Sequence, residues 1–200
     1  MSEGNVSSEK AALRQRFRAV RTDAPAGASA AIVARVLALP EVAAARAVLA
    51  FWPLVARGEV DVRPLIYALD ARGVTVALPV VVPGPVPRLV ARAYVPGALV
   101  AGPWGLMEPA PDAPRVDALD VAVVPALALG RDGSRLGYGG GYYDAFLATT
   151  DALRVGVAPH ACLADALPAE PHDARLDAVV TERETLRIAG RPRNAAAPAP

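Results

Sequence analysis

The run RLGYGGGYYD, residues 135–144, sets four glycines among three tyrosines, with an arginine at its start and an aspartate at its end. Glycines this close together do not form the interior of a helix or strand, because glycine has the most backbone freedom to lose. The apolar residues 121–129 and the turn-forming RDGS at 131–134 precede the run, and YYDAFL at 142–147 is typical of a helix start. The pattern predicts a glycine loop that leads into a helix.

Such a loop exposes backbone N–H groups and the positive end of a helix dipole, and both suit a phosphate group. A plain structural turn is the alternative interpretation. Arg135 and Asp144 favour a nucleotide and metal site, because an arginine fork binds phosphate oxygens and a carboxylate binds Mg²⁺. For Asp144 the alternative is a partner of the helix dipole, and for Tyr142 and Tyr143 it is packing in the core.

Apolar runs alternate with helical patterns along the rest of the chain. The strand, helix and strand at 46–52, 62–71 and 74–82 indicate a parallel sheet. We expect an α/β fold, a three-layer sandwich with a mostly parallel central sheet, Rossmann-like. The other predicted elements are helices from Glu9, from about 26 to Leu39 before Pro40, and from the loop to about 148, with strands at 88–95 (an edge), 118–125, 154–158 and 176–181.

Composition limits the class of protein. The chain has 200 residues, is 54% hydrophobic and 20% charged, and carries a formal net charge of +1. These values fit one globular domain and give no support for nucleic-acid or membrane partners. We predict a single domain at 9–189, a disordered leader at 1–8 and a disordered tail at 190–200. The single cysteine, Cys162, excludes an internal disulfide. We expect a cytoplasmic protein, and a monomer.

Lysine occurs once. Of 21 basic residues 20 are arginine, and the exception is Lys10. A position that keeps lysine under this bias indicates a need for a compact ammonium, with chance as the alternative. The basic face of the first helix is either solvated or delivers cations to an anionic ligand. We expect Lys10 to be exposed, so that Lys10→Ala leaves the fold intact. The face consists of Lys10, Arg14, Arg18 and Arg21.

Other chemistries find little support. The loop is not a Walker A loop, since no Gly-Lys-Ser/Thr follows, and its glycine spacing does not match the dinucleotide fingerprint. His160 and His172 are the only histidines and no serine sits in a nucleophile elbow, so no catalytic triad is expected. Cys162 is interpreted as a small buried residue. Glu59 follows the first strand, at the edge where open α/β sheets bind ligands. The predicted chemistry is phosphoryl transfer by positioning and charge.

The chain resembles the 5-formyltetrahydrofolate cyclo-ligase family, also called 5,10-methenyltetrahydrofolate synthetases, from Lys10 to about residue 185. The glycine run is the hallmark, and the order and spacing of five further pieces make the resemblance specific. These pieces are KAALR at 10–14, GEVD at 58–61, WGLMEP at 104–109, PALA at 125–128, and LP at 167–168 with HD at 172–173.

The resemblance implies an ATP- and Mg²⁺-dependent enzyme whose partners are ATP and a reduced folate. The formyl oxygen of 5-formyltetrahydrofolate would take the γ-phosphoryl group of ATP, and N10 would attack the activated carbon. Loss of phosphate would leave 5,10-methenyltetrahydrofolate and ADP. The implied catalytic residues are Lys10, Arg135 and Tyr142.

The resemblance also implies where each ligand binds. The metal ligands would be Asp144 and Asp173. The pterin side would be lined by Trp52, Glu59, Trp104 and Tyr142. The ATP-binding residues would be Lys10, Arg14, Arg135, Leu136, Gly137, Tyr138, Gly139, Gly140, Gly141, Tyr142 and Tyr143.

The chain departs from the family pattern in three places, and the departures at Pro159 and Cys162 keep a different substrate open. ALALG at 126–130 stands where Gly-Leu-Ala-Phe-Asp is usual, Pro159 and Cys162 replace an aromatic residue and a glutamine, and the loop before Glu59 is longer, with Ala56-Arg57 at 56–57. The alternatives are ATP-dependent activation of a different carbonyl substrate, and a folate-binding regulator with little turnover. An RNA-binding module is a third, which the near-zero net charge disfavours.

Overall fold

The computed structural model describes residues 3–189. Its helices are α1 (Glu3–Thr22), α2 (Ala28–Leu37), α3 (Pro40–Ala43), α4 (Arg63–Ala71) and α5 (Tyr142–Leu147). Its strands are β1 (Ala47–Leu49), β2 (Thr75–Val81), β3 (Leu89–Ala93), β4 (Leu99–Ala101), β5 (Met107–Pro109), β6 (Val121–Pro125), β7 (Ala128–Gly130), β8 (Arg135–Leu136), β9 (Leu153–Val157), β10 (Leu163–Ala164), β11 (Ala178–Val180) and β12 (Thr185–Arg187).

A seven-stranded sheet in the order β12-β11-β9-β6-β1-β2-β3 forms the middle layer. Strands β11, β9, β6, β1 and β2 are parallel, and β12 and β3 pair antiparallel at the two edges. The mostly parallel sheet and the edge strand predicted at 88–95 are confirmed. The chain runs from β1 to β2 on one side and later returns to β6 on the other. The point where the strand order reverses, the switch point, therefore lies between β1 and β6, where such sheets bind ligands.

Alternate side chains of β1 face opposite layers. Val48 packs in a cluster with Leu65 of α4, whereas Leu49 packs in a second cluster with Phe17 of α1 and Leu147 of α5. Each of these side chains is at most 5% exposed. Burial on both faces explains why the central strands are continuous apolar runs. The three-layer α/β sandwich is therefore confirmed.

The first helix is longer than predicted. It begins at Glu3, so the expectation of a disordered leader at 1–8 is wrong for residues 3–8. Once a first turn exists, each further residue adds one backbone hydrogen bond at little entropic cost, which lets α1 extend beyond its apolar pattern. The tail predicted at 190–200 lies outside the described residues. Within the described part, none of the helices has the length and apolar character that crossing a bilayer requires.

Prolines divide two segments that the apolar pattern joins. The helix predicted at 26–39 ends at Leu37, and Pro40 begins α3 instead of merely stopping α2, because proline suits a first helical turn. The apolar run at 121–129 divides after Pro125 into β6 and β7. Strand β7 then forms a hairpin with β8 around the predicted turn at 131–134, and β10 pairs with β7 on its other side.

Gly156 in the middle of β9 provides a test of the packing between these layers. A Cβ atom there would lie 2.8 Å from Leu129 Cδ2 and closer still to a methyl group of Leu176, and both leucines are buried. We expect Gly156→Ala to lower the free energy of unfolding by about 1–3 kcal/mol through overpacking, measured by urea denaturation. The matched control is Gly84→Ala, where nothing lies within 4 Å of the new methyl group. Equal stability of the two variants would contradict this account of the core.

Candidate active site

The glycine loop, residues 137–141, connects β8 to α5 beside the switch point. Gly139 and Gly141 have φ angles of 102° and 68°, which side chains with a Cβ rarely adopt. A Cβ at Gly137 would lie 2.9 Å from Nη1 of Arg135. Gly139 and Gly140 are exposed. Since α5 has six residues, its dipole is small, and the loop's own N–H groups are the stronger feature for an anion.

Arg135 points inward from the start of the loop. The residue is 8% exposed, and its Nη2 donates to Asp144 Oδ1 at 2.7 Å. Its guanidinium carbon lies 5.7 Å from the centre of the Tyr143 ring. Burial raises the pKa of Tyr143 above its ordinary value, so that hydroxyl stays protonated. The ion pair therefore ties the two ends of the glycine loop together.

Asp144 and Asp173, the two predicted metal ligands, belong to neighbouring segments. Asp144 Oδ1 also accepts the backbone N–H of Ala174 at 3.2 Å. Asp173, the preceding residue, lines a cavity of about 350 Å³ together with Arg135 and Glu170. Asp173 is thus at the cavity, grouped with Glu170 and His172, whose possible ligand atoms all lie within 4.8 Å of one another, whereas Asp144 is joined to it only through the N–H of the adjacent Ala174. Carboxylate oxygens are ligands that suit Mg²⁺.

Lys10 is buried, so the expectation that it is exposed is wrong. It is 5% exposed, and its Nζ donates to Glu170 Oε2 at 2.7 Å and to Asp173 Oδ2 at 2.5 Å. Burial by itself lowers the pKa of Lys10, but the hydrogen bonds and charges of Asp173 and Glu170 outweigh it, and the pKa lies above its ordinary value. Lys10 is therefore charged and joins α1 to the loop that carries Asp173.

Arg14, the next residue on the same face of α1, reaches the glycine loop. Its Nε donates to the carbonyl oxygen of Gly137 at 3.1 Å. Its guanidinium carbon lies 3.4 Å from the point where a Cβ at Gly139 would stand. The structure thus places Arg14 against the loop that the sequence predicts to hold a triphosphate. Arg18, by contrast, is exposed.

The predicted pterin-side residues fall into two groups. Trp104 contacts Tyr142 edge-on, with ring centres 5.6 Å apart, and its backbone has the strained φ of 57°. Trp52 instead stacks on Tyr94, with ring centres 6.2 Å apart, among the side chains under α2 and α4. Trp104 and Tyr142 therefore belong to the glycine-loop side, and Trp52 packs with a different set of aromatic rings.

Glu59 lies in the loop after β1 and makes two hydrogen bonds. Its Oε2 accepts the backbone N–H of Leu54 at 2.7 Å, and its Oε1 accepts the hydroxyl of Tyr138. The side chain of Arg21, 3% exposed, donates to the same hydroxyl at 2.5 Å and to the carbonyl oxygen of Arg57. Sequence reasoning noted Arg21 on the basic face but not among the site residues.

The remaining candidates behave as structural or surface residues. Cys162 is buried, as predicted, and burial raises the pKa of its thiol to about 11 despite the nearby Arg21 cation, so it is protonated at neutral pH. The side chain of His172 is 71% exposed. Glu170 was missed, although it lies between the LP at 167–168 and the HD at 172–173 that carry the resemblance, because its sequence context resembles an ordinary polar loop.

An open, mostly parallel α/β sheet with a glycine loop and clustered charges beside its switch point is typical of α/β proteins that bind a ligand at that edge. A family model described as the 5-formyltetrahydrofolate cyclo-ligase family matches residues 4–182. The 5-formyltetrahydrofolate cyclo-ligase of Escherichia coli K12 is 35% identical over 176 residues, which cover 84% of this chain and 96% of that protein. The chain therefore belongs to the 5-formyltetrahydrofolate cyclo-ligase family, whose members are ligases.

Two further relatives agree with this assignment. The 5-formyltetrahydrofolate cyclo-ligase of Mycolicibacterium smegmatis is 43% identical over 98 residues, which span 46% of this chain and only 50% of that protein. The structure of the 5,10-methenyltetrahydrofolate synthetase of Aquifex aeolicus superposes with a TM-score of 0.76 at 28% identity, and covers 94% of this chain and 97% of that one. The resemblance inferred from the motifs is thereby confirmed.

The ion-pair cluster around Lys10 predicts an effect on stability. Lys10→Ala leaves two partly buried carboxylates close together without their shared cation, so we expect the free energy of unfolding to fall by about 2–4 kcal/mol. Urea denaturation at neutral pH measures the loss. Arg18→Ala, on the exposed side of the same helix, is the control and should change stability by less than about 0.5 kcal/mol. A similarly small change for Lys10→Ala would refute a stabilising role for the cluster.

Proposed function

We propose that this protein catalyses the ATP- and Mg²⁺-dependent cyclisation of 5-formyltetrahydrofolate to 5,10-methenyltetrahydrofolate. One observation carries the proposal. Residues at one end of the glycine loop contact both the predicted ATP side and the predicted pterin side of the site. Gly137 accepts from Arg14, a predicted triphosphate contact, and the adjacent Tyr138 donates to Glu59, a predicted pterin contact. Two substrates bound on these sides would meet across the loop.

The phosphate side consists of the loop N–H groups and the cations of α1. Arg14 and the loop from Arg135 to Tyr143 hold the triphosphate, with Lys10 nearby on the same helix face. The ammonium of Lys10 has three N–H donors, and its two carboxylate partners account for two of them. We assign the third to a phosphate oxygen. Positioning and charge, without a protein nucleophile, are sufficient for phosphoryl transfer.

The pterin side consists of Glu59, Trp104 and Tyr142. A carboxylate accepts from the adjacent N–H groups of a pterin in a fork-like arrangement, and the exposed indole of Trp104 offers a flat apolar surface beside Tyr142. The packing of Trp52 under α2 and α4 gives no support for a direct contact with substrate. We therefore assign folate recognition to Glu59, Trp104 and Tyr142.

Asp144 and Asp173 would hold Mg²⁺. When bound, the ion would neutralise part of the charge of the triphosphate. In the reaction, the formyl oxygen forms a bond to the γ-phosphorus as the bond to the ADP oxygen breaks. N10 then attacks the activated formyl carbon and loses its proton, and the C–O bond to phosphate breaks. Arg14 and Lys10 stabilise the charge on the transferred group, while Glu59 keeps N10 and the formyl carbon in place.

The proposal is tested by mixing the protein with ATP, Mg²⁺ and 5-formyltetrahydrofolate and following the absorbance of methenyltetrahydrofolate. We expect product only when all three are present, with one ADP released for each folate converted. Omission of ATP and addition of EDTA are the controls. Binding of folate without release of ADP would support a regulator in place of an enzyme. If neither methenyltetrahydrofolate nor ADP is formed at high protein concentration, the proposal is refuted.

The metal assignment predicts a specific defect. Asp144→Asn removes a charged oxygen ligand while keeping the size of the side chain, so we expect the Mg²⁺ concentration for half-maximal rate to rise by at least about tenfold at saturating ATP. Asp165→Asn, a carboxylate that is fully exposed in a different loop, is the matched control. An unchanged Mg²⁺ titration for Asp144→Asn would indicate that this carboxylate serves the ion pair with Arg135 and not the metal.

A further inference from the structure

Three segments far apart in the sequence meet at one buried guanidinium. Arg21 lies in the last turn of α1. Its Nη1 donates to the hydroxyl of Tyr138 in the glycine loop, and its Nη2 donates to the carbonyl oxygen of Arg57 in the loop after β1. Its guanidinium carbon also lies 5.4 Å from the centre of the Tyr138 ring. The Tyr138 hydroxyl in turn donates to Glu59 Oε1. The result is a directed chain of hydrogen bonds from Arg21 through Tyr138 to Glu59.

The direction of this chain is determined by the chemistry of its members. Arginine has donors and no acceptor, so the phenol oxygen must accept from Arg21 and its proton must point to Glu59. Partial burial raises the pKa of Tyr138 and the charge of Glu59 raises it further, so the hydroxyl keeps this proton. A hydroxyl that accepts from a cation is a stronger donor, because successive hydrogen bonds polarise one another.

The two oxygens of Glu59 are each held by one donor, the hydroxyl of Tyr138 and the N–H of Leu54. A carboxylate has about four lone-pair positions, so about two remain for an incoming ligand. Because both oxygens are restrained, the plane of the carboxylate is fixed before a ligand arrives. A flat heterocycle with adjacent N–H groups gains from such preorganisation, since no rotamer entropy is lost on binding.

We propose that Tyr138, held by Arg21, is a positioning residue that orients the Glu59 carboxylate for the pterin of the folate substrate. This rests on the proposed function and assigns Tyr138 to the folate side of the reaction, whereas the sequence resemblance implies an ATP contact. Tyr138 is 37% exposed and lies in a loop, but its hydroxyl accepts from the buried Arg21, so the stability of the variant in urea is measured beside its kinetics. The consequence of its loss falls on Glu59 and through it on folate binding.

The test is Tyr138→Phe, which keeps the ring and its contact with Arg21 and removes only the hydroxyl. We expect KM for 5-formyltetrahydrofolate to rise about tenfold, the loss expected for one hydrogen bond next to charged groups. KM for ATP and kcat should change by less than about twofold, because a contact that stabilises the bound folate equally in the ground state and in the transition state affects only KM for folate. Tyr67→Phe, which removes the hydroxyl of a 49% exposed tyrosine on α4, is the control and should leave all three constants unchanged.

A double-mutant cycle separates positioning from a merely structural role. If Tyr138 acts through Glu59, then adding Tyr138→Phe to Glu59→Gln should raise KM for folate by less than about twofold beyond the single Glu59→Gln variant. A tenfold effect in both backgrounds would overturn the inference, as would an increase in KM for ATP alone or a decrease in KM for folate. These outcomes leave the proposed function intact provided that the wild-type protein makes product, whereas an inactive wild-type protein overturns both.

Discussion

The ion pair between Arg135 and Asp144 is the constraint on which the site depends. It joins the last strand before the glycine loop to the first turn of the helix after it, across residues that have little conformational preference of their own. Removing two charges from water costs several kcal/mol, and the Coulomb attraction between the charges offsets little more than this cost. Such a pair therefore contributes little to the net free energy of unfolding. Its effect is geometric. With both ends of the loop fixed, the entropy of ordering the glycines is lost on folding and not on ligand binding.

Helix α1 completes the site from the opposite side. Three of its basic residues, spaced four and seven apart, contact three different segments: Lys10 the loop with Asp173, Arg14 the glycine loop, and Arg21 the loop after β1. Residues at this spacing lie on one helix face, so a single rigid element sets the distances between the predicted metal, phosphate and pterin positions. The apolar side of α1, with Phe17, anchors that face to the sheet. A small rotation of α1 would therefore disturb all three positions together.

Local patterns predicted most of the fold, while long-range pairing was not predictable. The glycine run, the alternation of strands and helices and the edge strand follow from features within a few residues of one another. The burial of Lys10 depends on Glu170 and Asp173, which are 160 and 163 residues away in the chain. A basic helix face has the same sequence pattern whether it is solvated or buried against carboxylates, so Arg21 was indistinguishable from Arg18. The division of β6 from β7 was hidden because both strands are wholly buried.

The balance of charge around the loop gives a physical reason for a metal requirement. The cations that converge there are Lys10, Arg14, Arg21 and Arg135, and the carboxylates that accompany them are Glu59, Asp144, Glu170 and Asp173. These carboxylates offset part of the positive charge that the cations offer to a triphosphate. Screening by solvent is weak at buried positions, and the four charges of ATP would repel Asp144 and Asp173. A divalent cation held by these two carboxylates would reverse the sign of that interaction. The same carboxylates that would hinder ATP binding by itself thus favour binding of its magnesium complex, which supports the proposed dependence on Mg²⁺.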